Sequence, residues 1–183
     1  MTPSRYDDEL WELVPDEPGP PPLHLREFVR SLGRVERTLD LGCGDGRLTT
    51  ELDAAHLTAA DVSPVALERA RRNLPEATLV ELEPDAPLPL GDGSFDLVLC
   101  AETLEHVRDV QLLLSEARRV LTPGGLLAIT TPASPPLVRP PAPLSPHLRL
   151  FTRRSLRELL GELGFDVQGV RRSRRTLLAR ATR

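Results

Sequence analysis

Short apolar runs alternate with helical patterns along most of this chain, and this alternation constrains the fold more than any other feature. The runs predicted to be strands are residues 38–41, 57–61, 77–81, 95–101 and 126–130. Helical spacing of apolar residues separates them at about 47–54, 64–74 and 110–121, and Ser63 and Pro64 are suited to the start of the second helix. Strands joined by such crossovers predict a mostly parallel sheet with helices on both faces.

The two ends of the chain extend this pattern. A helix is predicted from residue 23 up to Gly33, and another over 152–163, followed by short strands at 165–170 and 176–181 that must be antiparallel. Proline and glycine dominate residues 15–22, which predicts that residues 1–22 are a lid or linker and 23–183 the domain. Residues 132–146 hold seven prolines, and loops of this length in compact domains are usually functional or disordered.

Composition excludes several classes of protein. A chain of 183 residues suits one domain, and no apolar run approaches the roughly 20 residues that cross a bilayer. Two cysteines are too few for a disulfide scaffold or a zinc finger. The first eight residues lack the apolar stretch of a secretory signal, so we expect a cytoplasmic protein without a membrane partner.

Charge argues mildly against nucleic acid as the main partner, since the net charge is -4 and the pI about 5.6. All 23 basic residues are arginine. A C-terminal group of them is either a solvated strand edge or a contact for phosphate or an acidic partner. Its members are Arg171, Arg172, Arg174, Arg175, Arg180 and Arg183.

A glycine-rich turn at Gly42, Gly44 and Gly46 follows the first predicted strand and allows a ligand to lie against bare backbone. A dinucleotide fingerprint would need a third glycine where Arg47 stands, and no phosphate-loop motif is present. Asp40 and Asp45 flank the turn; they would repel a pyrophosphate but suit a ligand with an ammonium and a sulfonium.

Asp61 ends the second predicted strand, where a carboxylate can accept hydrogen bonds from both ribose hydroxyls of a nucleoside. Together with the glycine turn it indicates a positively charged nucleoside ligand.

Four motifs in order resemble those of the class I S-adenosylmethionine-dependent methyltransferases. They are D-L-G-C-G-D-G at 40–46, the acid Asp61, the stretch 88–98, and R-V-L-T-P-G-G at 119–125. The resemblance covers about residues 36–170. It implies an α/β, Rossmann-like doubly wound fold whose seven-stranded sheet has the order 3-2-1-4-5-7-6, with strand 7 antiparallel.

The resemblance also implies the cofactor, S-adenosylmethionine, and its contacts. Asp40, Gly42 and Gly44 would contact the methionine part and Asp61 the ribose. An acid after the third strand would bind the adenine amine, either Asp85 or one of Glu81 and Glu83. The expected cofactor-binding residues are Asp40, Gly42, Cys43, Gly44, Asp61, Val62, Asp85 and Ala101.

Residues after the fourth predicted strand carry the candidate chemistry. His106 could act as a general base if the acceptor must lose a proton, contact the substrate, or have a structural role; we expect His106 and Glu105 to be catalytic. An alternative is a divalent metal on Glu102, Glu105, His106 and His147, because E-x-x-E-H with a distant histidine resembles metal-dependent small-RNA methyltransferases. The same E-x-x-E-H is similar to ubiquinone-type O-methyltransferases.

These features favour an enzyme that methylates an O or N atom of a small-molecule acceptor. The alternatives are a metal-assisted RNA 2′-O-methyltransferase and a non-catalytic cofactor-binding subunit, whereas the glycine spacing disfavours a nicotinamide-dependent oxidoreductase.

Tyr6 and Trp11 are candidate aromatic residues of the lid. A homodimer or a partner subunit could complete a site with so short a cap.

Overall fold

The structure, a computed structural model, describes residues 8, 9, 11–15, 19–134 and 147–183. Its strands are β1 (Arg34–Leu41), β2 (Asp53–Asp61), β3 (Thr78–Glu81), β4 (Phe95–Ala101), β5 (Leu121–Pro132), β6 (Asp166–Ser173) and β7 (Thr176–Thr182). The helices are α1 (Leu23–Arg30), α2 (Pro64–Asn73), α3 (Val110–Val120) and α4 (Arg153–Glu162), with a single 3₁₀ turn at Thr49–Glu51 between β1 and β2. Residues 8, 9 and 11–13 are also helical.

The strand order β3-β2-β1-β4-β5-β7-β6 confirms the expected sheet. Strands β1, β2 and β3 pair in parallel, as do β4 and β5. Strand β7 is antiparallel to both β5 and β6, as the short connection after β6 requires. This is the α/β, Rossmann-like doubly wound architecture that the motifs imply.

The described residues form two compact units, divided after Pro89. In the first unit, β1 to β3 form the sheet, and Leu67 and Ala70 of α2 pack with Leu74, just after the helix, against Cys43 and Ala59. Helix α2 begins as predicted, because the Ser63 side chain accepts a hydrogen bond from the Ala66 amide and Pro64 takes the first helical position.

In the second unit, β4 is buried along nearly its whole length, as expected for a parallel strand with both faces covered. Helix α3 buries Val110, Leu114, Ala117 and Val120, the face that helical spacing predicts. Helix α4 starts with a capping box between Thr152 and Ser155.

The predicted helix at 47–54 is wrong. Only one 3₁₀ turn forms there, and β2 already begins at Asp53. The hydroxyl of Thr49 donates to the Asp40 carboxylate and that of Thr50 to the Arg47 carbonyl, so both hydroxyls are engaged in the turn. Backbone pairing with Arg34 and Val35 of β1 then extends β2 through exposed residues that carry no apolar signal.

Strand β5 is also longer than predicted, since it begins at Leu121 and includes the Pro123-Gly124-Gly125 sequence. The Gly124 amide donates to the Arg183 carbonyl, and the Arg183 amide donates to the Gly125 carbonyl. The last residue of the chain thus pairs with the glycine segment at the start of β5. In the parts of the chain that the structure describes, no helix has the length and hydropathy to cross a membrane.

Candidate active site

The glycine turn joins the ends of β1 and β2. The amides of Gly42 and Cys43 both donate to the Ala60 carbonyl, at 2.8 and 3.0 Å. Gly44 has a φ of +54°, a conformation that residues with a Cβ avoid. A Cβ at this position would also lie 2.6 Å from Cζ2 of Trp11, so the indole packs directly on the glycine backbone.

Asp61, the expected ribose ligand, supports this turn from the end of β2. One carboxylate oxygen accepts from the Gly44 amide at 2.8 Å and the other from the Ser63 amide at 3.0 Å. Burial raises the pKa of Asp61, whereas these amides and that of Val62 lower it. A carboxylate has about four acceptor sites, so Asp61 can accept from these three amides and still from a ligand hydroxyl.

Asp40 is the most deeply buried acid among the described residues of the first unit, with 3% of its surface exposed. Its Oδ2 accepts a 2.5 Å hydrogen bond from the Thr49 hydroxyl, and its Oδ1 has no hydrogen-bond partner among the residues described. Burial raises the pKa of Asp40 to about 7; the Thr49 hydrogen bond lowers it, and the charge of Asp61 raises it further. A buried acceptor of this kind favours a positively charged or hydrogen-bond-donating ligand.

The N-terminal segment, described at residues 8, 9 and 11–15, is attached to the first unit by side-chain hydrogen bonds. The Ser63 hydroxyl donates to the Asp8 carboxylate at 2.5 Å, and the Arg69 guanidinium donates to the Val14 carbonyl at 2.9 Å. With Trp11 on Gly44, these contacts hold the segment against the glycine turn and α2. Asp8 and Arg69 were not predicted from the sequence, because no motif marks them, and Tyr6 lies outside the described residues.

The remaining expected cofactor residues differ in what they offer. The Cys43 side chain packs in the core beside α2, where burial raises the pKa of its thiol, and the thiol donates to the Gly44 carbonyl at 3.5 Å. Val62 and Ala101 are half-buried at the ends of β2 and β4. Asp85 is exposed with a φ of +56°, and Glu81 and Glu83 are exposed nearby in sequence, so all three carboxylates are accessible to a ligand.

In the second unit, the turn after β4 positions Glu102, Glu105 and His106. Glu102 has a φ of +53°; its amide donates to the Thr130 carbonyl, and its carboxylate accepts from the Thr130 hydroxyl, both at 2.8 Å. Glu105 is 1% exposed, and its Oε2 accepts from the Thr131 hydroxyl at 2.9 Å. Burial, assisted by the charge of Glu102, raises the pKa of Glu105 to about 7.

His147 lies beside this turn, although about 40 residues separate it from His106 in sequence. The two imidazole rings meet edge to face with centroids 5.1 Å apart. Nε2 of His106 is 3.9 Å from Oε1 of Glu105. Ligand atoms of Glu105, His106 and His147 all lie within 4.8 Å of one another, whereas Glu102 is outside this group. Most of the proline-rich loop, residues 135–146, is outside the described part of the chain.

The arginine group at the C-terminus does not form one surface. Arg171, Arg172, Arg174 and Arg175 are exposed at the bend between β6 and β7. Arg183 instead donates from its guanidinium to the Arg119 and Leu121 carbonyls, which is a structural role in the second unit.

Comparison with known proteins gives a consistent result. The family described as "Methyltransferase domain" matches residues 39–129. An uncharacterized methyltransferase of Synechocystis is 42% identical over 99 residues, which are 51% of this chain and 46% of that protein. A ubiquinone biosynthesis O-methyltransferase of Xanthomonas oryzae is 37% identical over 130 residues, 63% of this chain and 54% of that protein. The chain thus spans about half the length of these curated relatives.

A solved structure with the same fold is that of an S-adenosylmethionine-dependent methyltransferase from Aquifex aeolicus. It has a TM-score of 0.70 and 21% identity, and the alignment covers all of this chain and 98% of the other. The matched family, the relatives, the motif order and the 3-2-1-4-5-7-6 sheet all agree. We conclude that the chain carries a methyltransferase domain, matched over residues 39–129, and has the class I methyltransferase fold.

Proposed function

We propose that this protein transfers a methyl group from S-adenosylmethionine to an oxygen or nitrogen atom of a small molecule. The observation that carries the proposal is the buried Asp40 beside the glycine turn, whose Oδ1 lacks a hydrogen-bond donor among the described residues. The cofactor carries an ammonium and a sulfonium, and a cation of this kind compensates for a buried carboxylate. A pyrophosphate would instead add negative charge next to Asp40 and Asp61.

Each part of the cofactor is assigned to a part of the first unit. Asp40 binds the ammonium, and the backbone at Gly42, Cys43 and Gly44 lies along the methionine part. Asp61 accepts from the ribose with the acceptor capacity that the Gly44, Ser63 and Val62 amides leave available. The remaining assignments are the adenine amine to Asp85, with Glu81 and Glu83 as alternatives, and an apolar contact to Val62.

The N-terminal segment acts as a lid over the cofactor in this proposal. Trp11 packs on Gly44, and the Asp8–Ser63 and Arg69–Val14 hydrogen bonds attach the segment on either side of the indole. A lid of this type excludes water and so favours displacement at the methyl group over side reactions. The indole is the chain's single tryptophan, which makes its fluorescence a direct reporter of this contact.

The acceptor is assigned to Glu105 and His106 of the second unit. In the reaction the bond from the acceptor atom to the methyl carbon forms as the sulfur–methyl bond breaks, leaving a neutral thioether. Such a displacement depends mainly on alignment, and an acceptor hydroxyl must in addition lose its proton. The similarity to a ubiquinone biosynthesis O-methyltransferase favours an oxygen acceptor.

Titration of Trp11 fluorescence with S-adenosylmethionine tests the cofactor assignment. We expect saturable binding to the natural chain and a loss of on the order of 100-fold in affinity for Asp40→Asn, from removing a buried charge partner. Asp53→Asn is the matched control, because Asp53 is an acid of the same unit with a side chain 61% exposed, and it should bind normally. Equal affinity of Asp40→Asn and the natural chain would overturn the assignment.

A further inference from the structure

Glu105, His106 and His147 bring three potential metal ligands together from two segments of the second unit. One atom of each can be chosen so that all three lie within 4.8 Å of one another. Bonds from a divalent metal to imidazole nitrogen and carboxylate oxygen are about 2.0–2.2 Å, so ligands of one ion lie roughly 3–4 Å apart. The three groups are therefore within a small side-chain adjustment of binding the same ion.

The Glu105 carboxylate gives an independent indication of a ligand at this position. The residue is 1% exposed, and only Oε2 is held, by the Thr131 hydroxyl. Oε1 has no hydrogen-bond partner in the described part of the chain; it lies 3.9 Å from Nε2 of His106, beyond hydrogen-bonding distance. A buried carboxylate oxygen without a donor is costly, and a bound cation would remove that cost.

Hydrogen bonds to backbone carbonyls hold the His147 segment against the turn that carries Glu105 and His106. The Leu148 amide donates to the Glu105 carbonyl at 2.7 Å. The Arg149 guanidinium donates to the Val107 carbonyl and, at 2.8 Å, to the Arg108 carbonyl. Three hydrogen bonds on the residues that follow His147 set its position, so the cluster is a supported arrangement rather than a chance approach of exposed side chains.

We propose that Glu105, His106 and His147 bind one divalent transition-metal ion. Two imidazoles and a carboxylate suit Zn²⁺, Mn²⁺ or Fe²⁺ better than Mg²⁺ or Ca²⁺, which prefer oxygen ligands throughout. Glu102 is not a ligand in this proposal, because its carboxylate accepts from the Thr130 hydroxyl instead. The set is thus smaller than the four residues that the sequence pattern suggests.

Three protein ligands leave coordination positions open for a further oxygen ligand, as in catalytic metal sites. This part of the proposal rests on the proposed function: the open position would take the hydroxyl of the methyl acceptor and lower its pKa. His106 is then a metal ligand when the ion is bound. Metal binding itself does not depend on the reaction.

The test is calorimetric titration of tag-free, chelator-treated protein with Zn²⁺ and, separately, with Mn²⁺. We expect one equivalent to bind the natural chain, and His147→Ala to lose on the order of 100-fold or more in affinity, since even outer-shell changes cost 10–100-fold. His56→Ala is the matched control, because His56 is 76% exposed in the first unit and should leave metal affinity unchanged. Absorption of the Co²⁺-loaded protein reports the ligand set directly.

A second variant controls for the possibility that His147→Ala loses metal because it unfolds. Glu105→Gln keeps the side-chain shape and an acceptor for the Thr131 hydroxyl but removes the charge, and it should also weaken metal binding while thermal unfolding stays cooperative. No stoichiometric binding to the natural chain, or equal affinity in His147→Ala, would overturn the site. Titrating Trp11 fluorescence with S-adenosylmethionine on the same samples measures cofactor binding separately. A failure of the metal site can therefore be distinguished from a failure of the proposed function.

Discussion

Replacing Asp40 by Asn should make the ligand-free protein more stable at high pH while weakening its binding of the cofactor. Burial raises the pKa of Asp40 from 3.8 to about 7, which means that the folded state disfavours the charged carboxylate. The folded protein therefore holds this proton at pH values where the unfolded chain has released it. The destabilisation is absent below about pH 4, grows as the pH rises, and is complete above about pH 7.

The size of the effect follows from the pKa. Each pH unit by which the pKa of Asp40 is raised costs the folded state about 1.4 kcal/mol. The raised pKa therefore lowers the free energy of unfolding by about 4 kcal/mol at pH 8 and by between 1 and 2 kcal/mol, roughly, at pH 5. The asparagine amide can still accept from the Thr49 hydroxyl, but its NH₂ takes the place of Oδ1, which has no partner among the described residues. That unpaired group costs about 1–3 kcal/mol at every pH.

Urea unfolding at pH 5 and pH 8 measures the prediction, because the constant cost cancels between the two conditions. The stability of Asp40→Asn relative to the natural chain should rise by about 3 kcal/mol from pH 5 to pH 8, or about 1.5 M in midpoint at a slope of about 2 kcal/mol/M. Asp53→Asn should show no such rise. A relative stability that is the same at both pH values, or that falls at pH 8, would refute the reasoning.

Further predictions concern the same turn. The affinity of the natural chain for S-adenosylmethionine should be about tenfold lower at pH 6 than at pH 8 in calorimetry, because Asp40 is mostly neutral at the lower pH; a pH-independent affinity would contradict this. Gly44→Ala should lose cofactor affinity and change the emission of Trp11, whereas Gly93→Ala, with a similar φ of +59° but no atom within 4 Å of the added Cβ, should change neither. Trp11→Ala should weaken cofactor binding several-fold by equilibrium dialysis without altering the cooperativity of unfolding, and unchanged affinity would exclude a lid role.

Elements with strong local signals could be predicted from the sequence. Strand β4 was predicted with its observed bounds, since it is almost wholly apolar and is buried along most of its length. Helix α2 was predicted because Ser63 and Pro64 mark its first turn. The first half of β1 could not be found, since residues 34–37 are largely charged and are ordered by backbone pairing with β2, which leaves no hydrophobic pattern.

The residues of the candidate site also differ in whether the sequence could predict them. The glycine turn and Asp61 were predictable because backbone conformation and strand ends demand particular residue types. The position of His147 depends on the backbone hydrogen bond from Leu148 to Glu105, which sequence spacing alone does not indicate. The contacts of Asp8 and Arg69 likewise leave no motif.

Calorimetric titration of the natural chain with S-adenosylmethionine and with NAD at pH 8 tests the central claim most directly. The acidic residues around the glycine turn predict one equivalent of S-adenosylmethionine bound, with NAD giving no saturable heat at millimolar concentration. Saturable binding of NAD, with none of S-adenosylmethionine at the same concentration, would contradict the account.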